Sequence, residues 1–170
     1  MNECKRSENN WTRVAVFTGG DRGHYRTNFD CFVGVDRGSL WILEEDLPLA
    51  LAVGDFDSVT ADERQLIQKR AQHFVQAQPE KDDTDLELAL LTVFEQNPQA
   101  QITIFGALGG RIDHMLANVF LPSNPKLAPY MRQIAIEDGQ NLLSYCPEGT
   151  SQLEPRSDYD YLAFLPVRDS

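Results

Sequence analysis

"LALAVGDFDS", residues 49–58, is an apolar run that ends in two carboxylates one residue apart, Asp55 and Asp57. "TADERQLIQKRAQ" (60–72) follows at once with a helical pattern. The same succession recurs on both sides of it. Upstream, "VAVF" (14–17) opens into "TGG", and "CFVGVD" (31–36) runs into "RGSLWILEE", a short helix. Downstream, "HFVQAQ" (73–78) is a weaker strand, and "ITIF" (102–105) opens into "GALGG". Strands separated by helices of this length predict a parallel α/β sheet. Ligands of such sheets collect beyond the carboxyl ends of the strands. Gly19, Gly20, Asp36, Asp55, Asp57 and the 106–110 glycine loop all fall there.

The clearest helix begins in "TDLELALLTVFEQ" (84–96), where Thr84 and Glu87 have the spacing of a capping box. Leu86, Ala89, Leu90 and Val93 recur at the spacing of a buried stripe. Asp82 and Asp83 precede this helix and Asp85 lies in its first turn, so one helix start carries three acids. After "NVFL" the pattern changes. "PSNPKLAP" (122–129) reads as a boundary or a wrapped connection, and "IAIEDG", "NLLSY" and "YLAFLPV" are short strand-like pieces. The expected organisation is a flexible N-terminus over 1–13, an α/β domain over 14–130, and over 131–170 the opening strands of a β-rich domain, incomplete at Ser170.

The 170 residues suffice for one full hydrophobic core. A net charge of -11 with no Lys/Arg cluster argues against nucleic acid as a partner. Any phosphate ligand must bring a cation or meet a local basic patch. The three cysteines, Cys4, Cys31 and Cys146, have no metal-ligand spacing, and their odd number points away from a disulfide framework. No stretch approaches the roughly 18 apolar residues of a membrane span. These features predict a cytoplasmic protein without a membrane partner.

Asp55 and Asp57 allow two readings. They can end a strand and cap the next helix, or they can ligate a hard cation, Mg²⁺ above all, whose shell phosphate oxygens complete. The acids of "KDDTD" (81–85) favour the second, because like charges held together need a cation to neutralise them. In "GALGGRIDHMLANVF" (106–120), Gly106, Gly109 and Gly110 let backbone approach a ligand, and Arg111 stands at the start of a helix with its fork of donors. Arg111, His114 and Asn118 are spaced to share one face, with Asp113 beside them. A glycine turn with a solvated arginine is the plainer alternative. There is no Walker motif, so ATP binding would use an acid-and-metal site.

These elements in this order resemble thiamin pyrophosphokinases. The resemblance rests on "GVDRG" (34–38), "GDFDS" (54–58), "KDDTD" (81–85) and "GGRIDHMLAN" (109–118), and covers about residues 14–121. One departure is "TGG" after the first strand, where the family usually has asparagine before glycine. The resemblance implies a three-layer, mostly parallel sheet with helices on both faces, followed by the start of a β-sandwich domain that holds thiamin. It implies a homodimer that transfers the pyrophosphoryl group of ATP to the thiamin hydroxyl and releases AMP. By motif, Asp55, Asp57, Asp82 and Asp85 match the Mg²⁺–phosphate acids. Arg111, Asp113 and Asn118 match the nucleotide and substrate region, with Asp36 and Arg37 at the neighbouring strand end, and Gly19, Gly20, Gly109, Gly110 and His114 are further candidates for binding the nucleotide. Asp57 or Asp82 would accept the hydroxyl proton, and Arg111 would neutralise phosphate. The alternatives are a noncatalytic nucleotide-binding homologue, a pyrophosphokinase for a pterin-like substrate, and a phosphatase in which the first Asp of D-x-D attacks phosphorus.

Overall fold

The computed structural model describes residues 12–21, 23–77 and 83–166. The apolar runs pair as expected. β1 (Arg13–Phe17), β2 (Cys31–Val35), β3 (Leu49–Gly54), β4 (His73–Gln76) and β5 (Gln101–Phe105) lie parallel, in the spatial order β4-β3-β2-β1-β5. Most of these strands are buried along their length, which suits continuous apolar runs covered on both faces.

The crossovers explain the layers. From β2 the chain steps outward through α1 (Gly38–Glu44) to β3 and through α2 (Ala61–Arg70) to β4. It then returns through α3 (Asp85–Gln96), against β3 and β2, to place β5 on the far side of β1. Right-handed crossovers that reverse direction must use opposite faces of the sheet. Accordingly, Leu40, Ile42 and Ile67 pack with Ala15, Phe17, Ala52 and Phe105, whereas Leu86, Ala89, Leu90, Val93 and Phe94 pack with Val14, Val16, Val33, Val53 and Ile104. The reversal puts a topological switch point between β1 and β5.

α3 starts where its sequence dictates. Thr84 accepts the Glu87 N–H at 3.2 Å, and Glu87 accepts the Thr84 N–H at 2.7 Å, so two otherwise orphaned donors are satisfied. Thr84→Ala is expected to cost about 1 kcal/mol, or about 2–4 °C in Tm, checked by thermal and urea unfolding.

The first strands after the prolines, expected to open a β-rich domain, join the edge of the same sheet. β6 (Ile134–Glu137) pairs parallel with β5, and β7 (Leu142–Ser144) pairs antiparallel with β6, so the described residues form a seven-stranded sheet. The reason is burial: Ile134 and Ile136 are at most 1 % exposed and join the core face covered by α3. Glu137 is also buried, and its carboxylate is held by Arg26 at 2.5 Å. Leu121–Ser123 and Ala128–Gln133 form two 3-10 turns, each with a proline in its first turn. From Tyr145 to Pro166 no helix or strand forms, and Tyr161, Leu162, Phe164 and Leu165 are exposed. Among the described residues no helix is long and apolar enough to cross a membrane. Most of the expected N-terminal segment, residues 1–11, and the tip 167–170 lie outside the described residues.

Candidate active site at the strand carboxyl ends

Three acids meet beyond β2 and β3. Asp36 follows β2, Asp55 follows β3, and Asp85 opens α3. One carboxylate oxygen from each lies within 4.8 Å of the other two. The backbone is shaped for this. Asp36 takes a left-handed φ of 49°, which folds its side chain back over β3. There Asp36 Oδ1 accepts the Phe56 N–H at 3.1 Å, and it lies where a Cβ on Gly54 would sit, 1.9 Å away. Asp55 Oδ1 accepts the Asp57 N–H at 3.0 Å, closing a tight turn.

The electrostatics follow from crowding. Burial pushes the Asp36 carboxyl up from 3.8 to about 7; the Phe56 N–H opposes the rise, and the charges of Asp85 and Asp55 and a hydrogen bond with Asp85 add to it. Asp36 therefore carries a proton in the folded protein that the unfolded chain has already released above about pH 4. Its stabilising contribution is present at low pH and is lost as pH rises through about 7. In EDTA, Tm is expected to fall between about pH 4 and about pH 7 and then to level off, and Asp36→Asn should flatten the fall. Parallel profiles for the two proteins would show that other groups cause it.

The other expected residues divide by place. Asp57 is exposed and is not one of the three clustered acids. Asp82 lies outside the described residues. Asp83 is neutralised locally, with both carboxylate oxygens 2.7 Å from Lys126 Nζ. Asp36, read from the sequence as part of the nucleotide region, is the acid that completes the cluster with Asp55 and Asp85. Its signal was its position at the end of the strand adjacent to β3.

The glycine loops converge at the switch point. A Cβ on Gly20 would fall 2.0 Å from the Gly106 carbonyl oxygen, so "TGG" and "GALGG" touch backbone to backbone. Gly19 lies against Arg37 Cβ, and Arg37 Nη1 donates to the Ser58 carbonyl at 3.4 Å. Beyond them, Gly109 and Gly110 take φ of 84° and 71° with open space beside them. α4 (Ile112–Val119) follows, with Arg111 at its N-cap position but no side-chain capping bond. Arg111 is exposed and holds Asp113 through Nε at 3.1 Å and Nη2 at 2.5 Å. His114 is exposed too, whereas Asn118 turns inward and donates to the Ala107 carbonyl at 3.0 Å, bracing the loop. Arg111, His114 and Asn118 thus share helical spacing without sharing a task.

A hard divalent cation fits the clustered acids. Three carboxylates supply oxygen ligands only, and their mutual repulsion is the cost that a cation removes. Fold and site together define a doubly wound, Rossmann-like α/β protein with an acidic site at its strand carboxyl ends. Residues 23–130 match the thiamin pyrophosphokinase catalytic domain. The chain is 37 % identical over 145 residues to thiamine pyrophosphokinase of Bacillus subtilis, covering 85 % of this chain and 66 % of that one. A thiamin pyrophosphokinase family protein from Enterococcus faecalis superposes with a TM-score of 0.76 at 46 % identity, covering 81 % of this chain and 67 % of that one. The enzyme from Geobacillus thermodenitrificans gives 0.63 at 37 % identity, covering 78 % and 62 %. The chain belongs to the thiamin pyrophosphokinase family, and it spans about two thirds of the length of these relatives.

Proposed function

We propose that this chain carries the phosphate-handling half of an ATP:thiamin pyrophosphotransferase. The observation that carries the reading is the convergence of Asp36, Asp55 and Asp85 at adjacent strand ends in a chain of this family. These three residues would hold Mg²⁺, and bound Mg²⁺ supplies charge neutralisation for the phosphate oxygens of ATP. The thiamin hydroxyl oxygen attacks the β-phosphorus while the bond to the oxygen bridging the α- and β-phosphates breaks. AMP leaves with that oxygen. Asp57, exposed next to the cluster, takes the hydroxyl proton; Asp82 is the other acid proposed for this step. Arg111 exchanges its Asp113 partner for a phosphate, with the open backbone of Gly109 and Gly110 beside it. The enzyme acts as a homodimer, as the resemblance implies, and in the cytoplasm, the reading that the odd cysteine count supports.

Incubation with ATP, thiamin and Mg²⁺, followed by chromatography, is expected to give AMP and thiamin pyrophosphate in equal amounts. EDTA should abolish both. ADP with thiamin monophosphate, or inorganic phosphate alone, would overturn the reading.

A further inference from the structure

Phe56 stands between the two aspartates of "GDFDS" with a φ of 60°, a left-handed conformation that strains a bulky residue. Glycine would adopt it freely, yet the chain places a phenylalanine there. The residue is only 3 % exposed, and its ring stacks on Phe74 of β4, with centroids 4.7 Å apart and planes 16° apart. Phe74 is itself fixed by the pairing of β4 with β3, opposite Ala52. The same residue's N–H donates to Asp36 Oδ1 at 3.1 Å. Ring and N–H therefore act at opposite ends of one residue: one end is pinned in the core, and the other orients an acid of the cluster.

We propose that Phe56 is a positioning residue for the cation site, and that the Phe56–Phe74 stack sets the placement of both Asp36 and Asp55. The inference rests on the reading of the clustered acids as a cation site. Strain at a single backbone position persists only where the surroundings over-determine it, and such positions concentrate at functional sites. Here the over-determination is visible: a buried ring, a stacked partner from the next strand, and a hydrogen bond to a residue that is itself left-handed. Without the stack the turn is free to relax toward an ordinary φ. That relaxation rotates the Phe56 N–H away from Asp36 and shifts Asp55, its chain neighbour. Cation affinity then falls although every ligand is still present.

The test is a calorimetric titration with Mn²⁺ alone, beside Tm, on the wild-type chain and on Phe56→Leu, Phe74→Leu and Phe94→Leu. Phe94 is buried on the opposite face of the sheet, stacked on Tyr130, and serves as a control for generic core loosening. Phe56→Leu and Phe74→Leu are expected to weaken Mn²⁺ binding by about tenfold or more, the effect of removing a group that orients a ligand. Phe94→Leu should lower Tm without weakening Mn²⁺. Should Phe56→Leu fail to fold, Phe74→Leu, which lies away from the turn, decides the question alone. Wild-type affinity in the Phe56 and Phe74 variants would overturn the positioning role, as would losses that track Tm equally in all three variants. A wild-type chain that does not bind Mn²⁺ would instead overturn the cation reading itself, and the inference with it.

Discussion

Asp55→Asn is expected to lower affinity for Mg²⁺ by on the order of 10²-fold, about 2.7 kcal/mol, while leaving Tm in EDTA unchanged or raised. The substitution is nearly isosteric and keeps an Oδ1 acceptor for the Asp57 N–H, so the turn retains its hydrogen bond. What it removes is one of the three carboxyl groups that meet within 4.8 Å. A hard cation loses a charged oxygen ligand and much of the field that holds it. The protein without cation, by contrast, is relieved of a like charge, since Asp55 is one of the groups that push the Asp36 carboxyl upward. The two effects have opposite signs on two observables. Isothermal titration with Mg²⁺ and thermal melts in EDTA read them separately. An unchanged Mg²⁺ affinity would show that Asp55 serves its own turn and no cation.

The sheet was legible because its evidence is local. "VAVF", "CFVGV" and "LALAVG" are short apolar runs followed by turn chemistry or helical patterns, and Thr84 with Glu87 marks a helix start by spacing alone. β6 was less legible for a reason of the same kind. The prolines before it suggest a boundary, and nothing in "IAIE" says that Ile134 and Ile136 will fill the space beside β5. Strand order is a long-range property, and the sequence marks it only through which faces must be covered.

The acids show the same limit at finer scale. Asp55 and Asp85 are suggested by strand end and helix start, but Asp36 joins them only because β2 is the neighbour of β3 and because its backbone turns left-handed. The D-x-D spacing invites the pairing of Asp55 with Asp57. The left-handed residue between them leaves Asp57 exposed, with its N–H rather than its carboxylate on Asp55. Likewise, the i, i+3 and i+7 spacing of Arg111, His114 and Asn118 fixes a shared helical face, yet Asn118 spends its amide on the Ala107 carbonyl. Spacing identifies candidates; the partner each side chain finds decides its work.

Gly54→Ala should be the most damaging small substitution in the site. Its φ of 154° is one that residues with a side chain rarely adopt, and an added Cβ would fall 1.9 Å from Asp36 Oδ1 and 2.7 Å from its Cγ. Both the backbone and the Asp36 carboxyl must move. The backbone share is on the order of 1–3 kcal/mol. The carboxyl share adds loss of the Phe56 N–H bond and displacement of Asp36 from Asp55 and Asp85, so Mg²⁺ binding should fall below detection. Urea unfolding separates the two shares through a double-mutant cycle with Asp36→Ala. Removing the carboxyl opens the volume that the new methyl needs, so the double variant is expected to be more stable than the sum of the single losses predicts. The surplus measures the clash, and the remainder measures the backbone strain. Strict additivity would show that Gly54 and Asp36 act independently, and that the glycine is there for the chain's path alone.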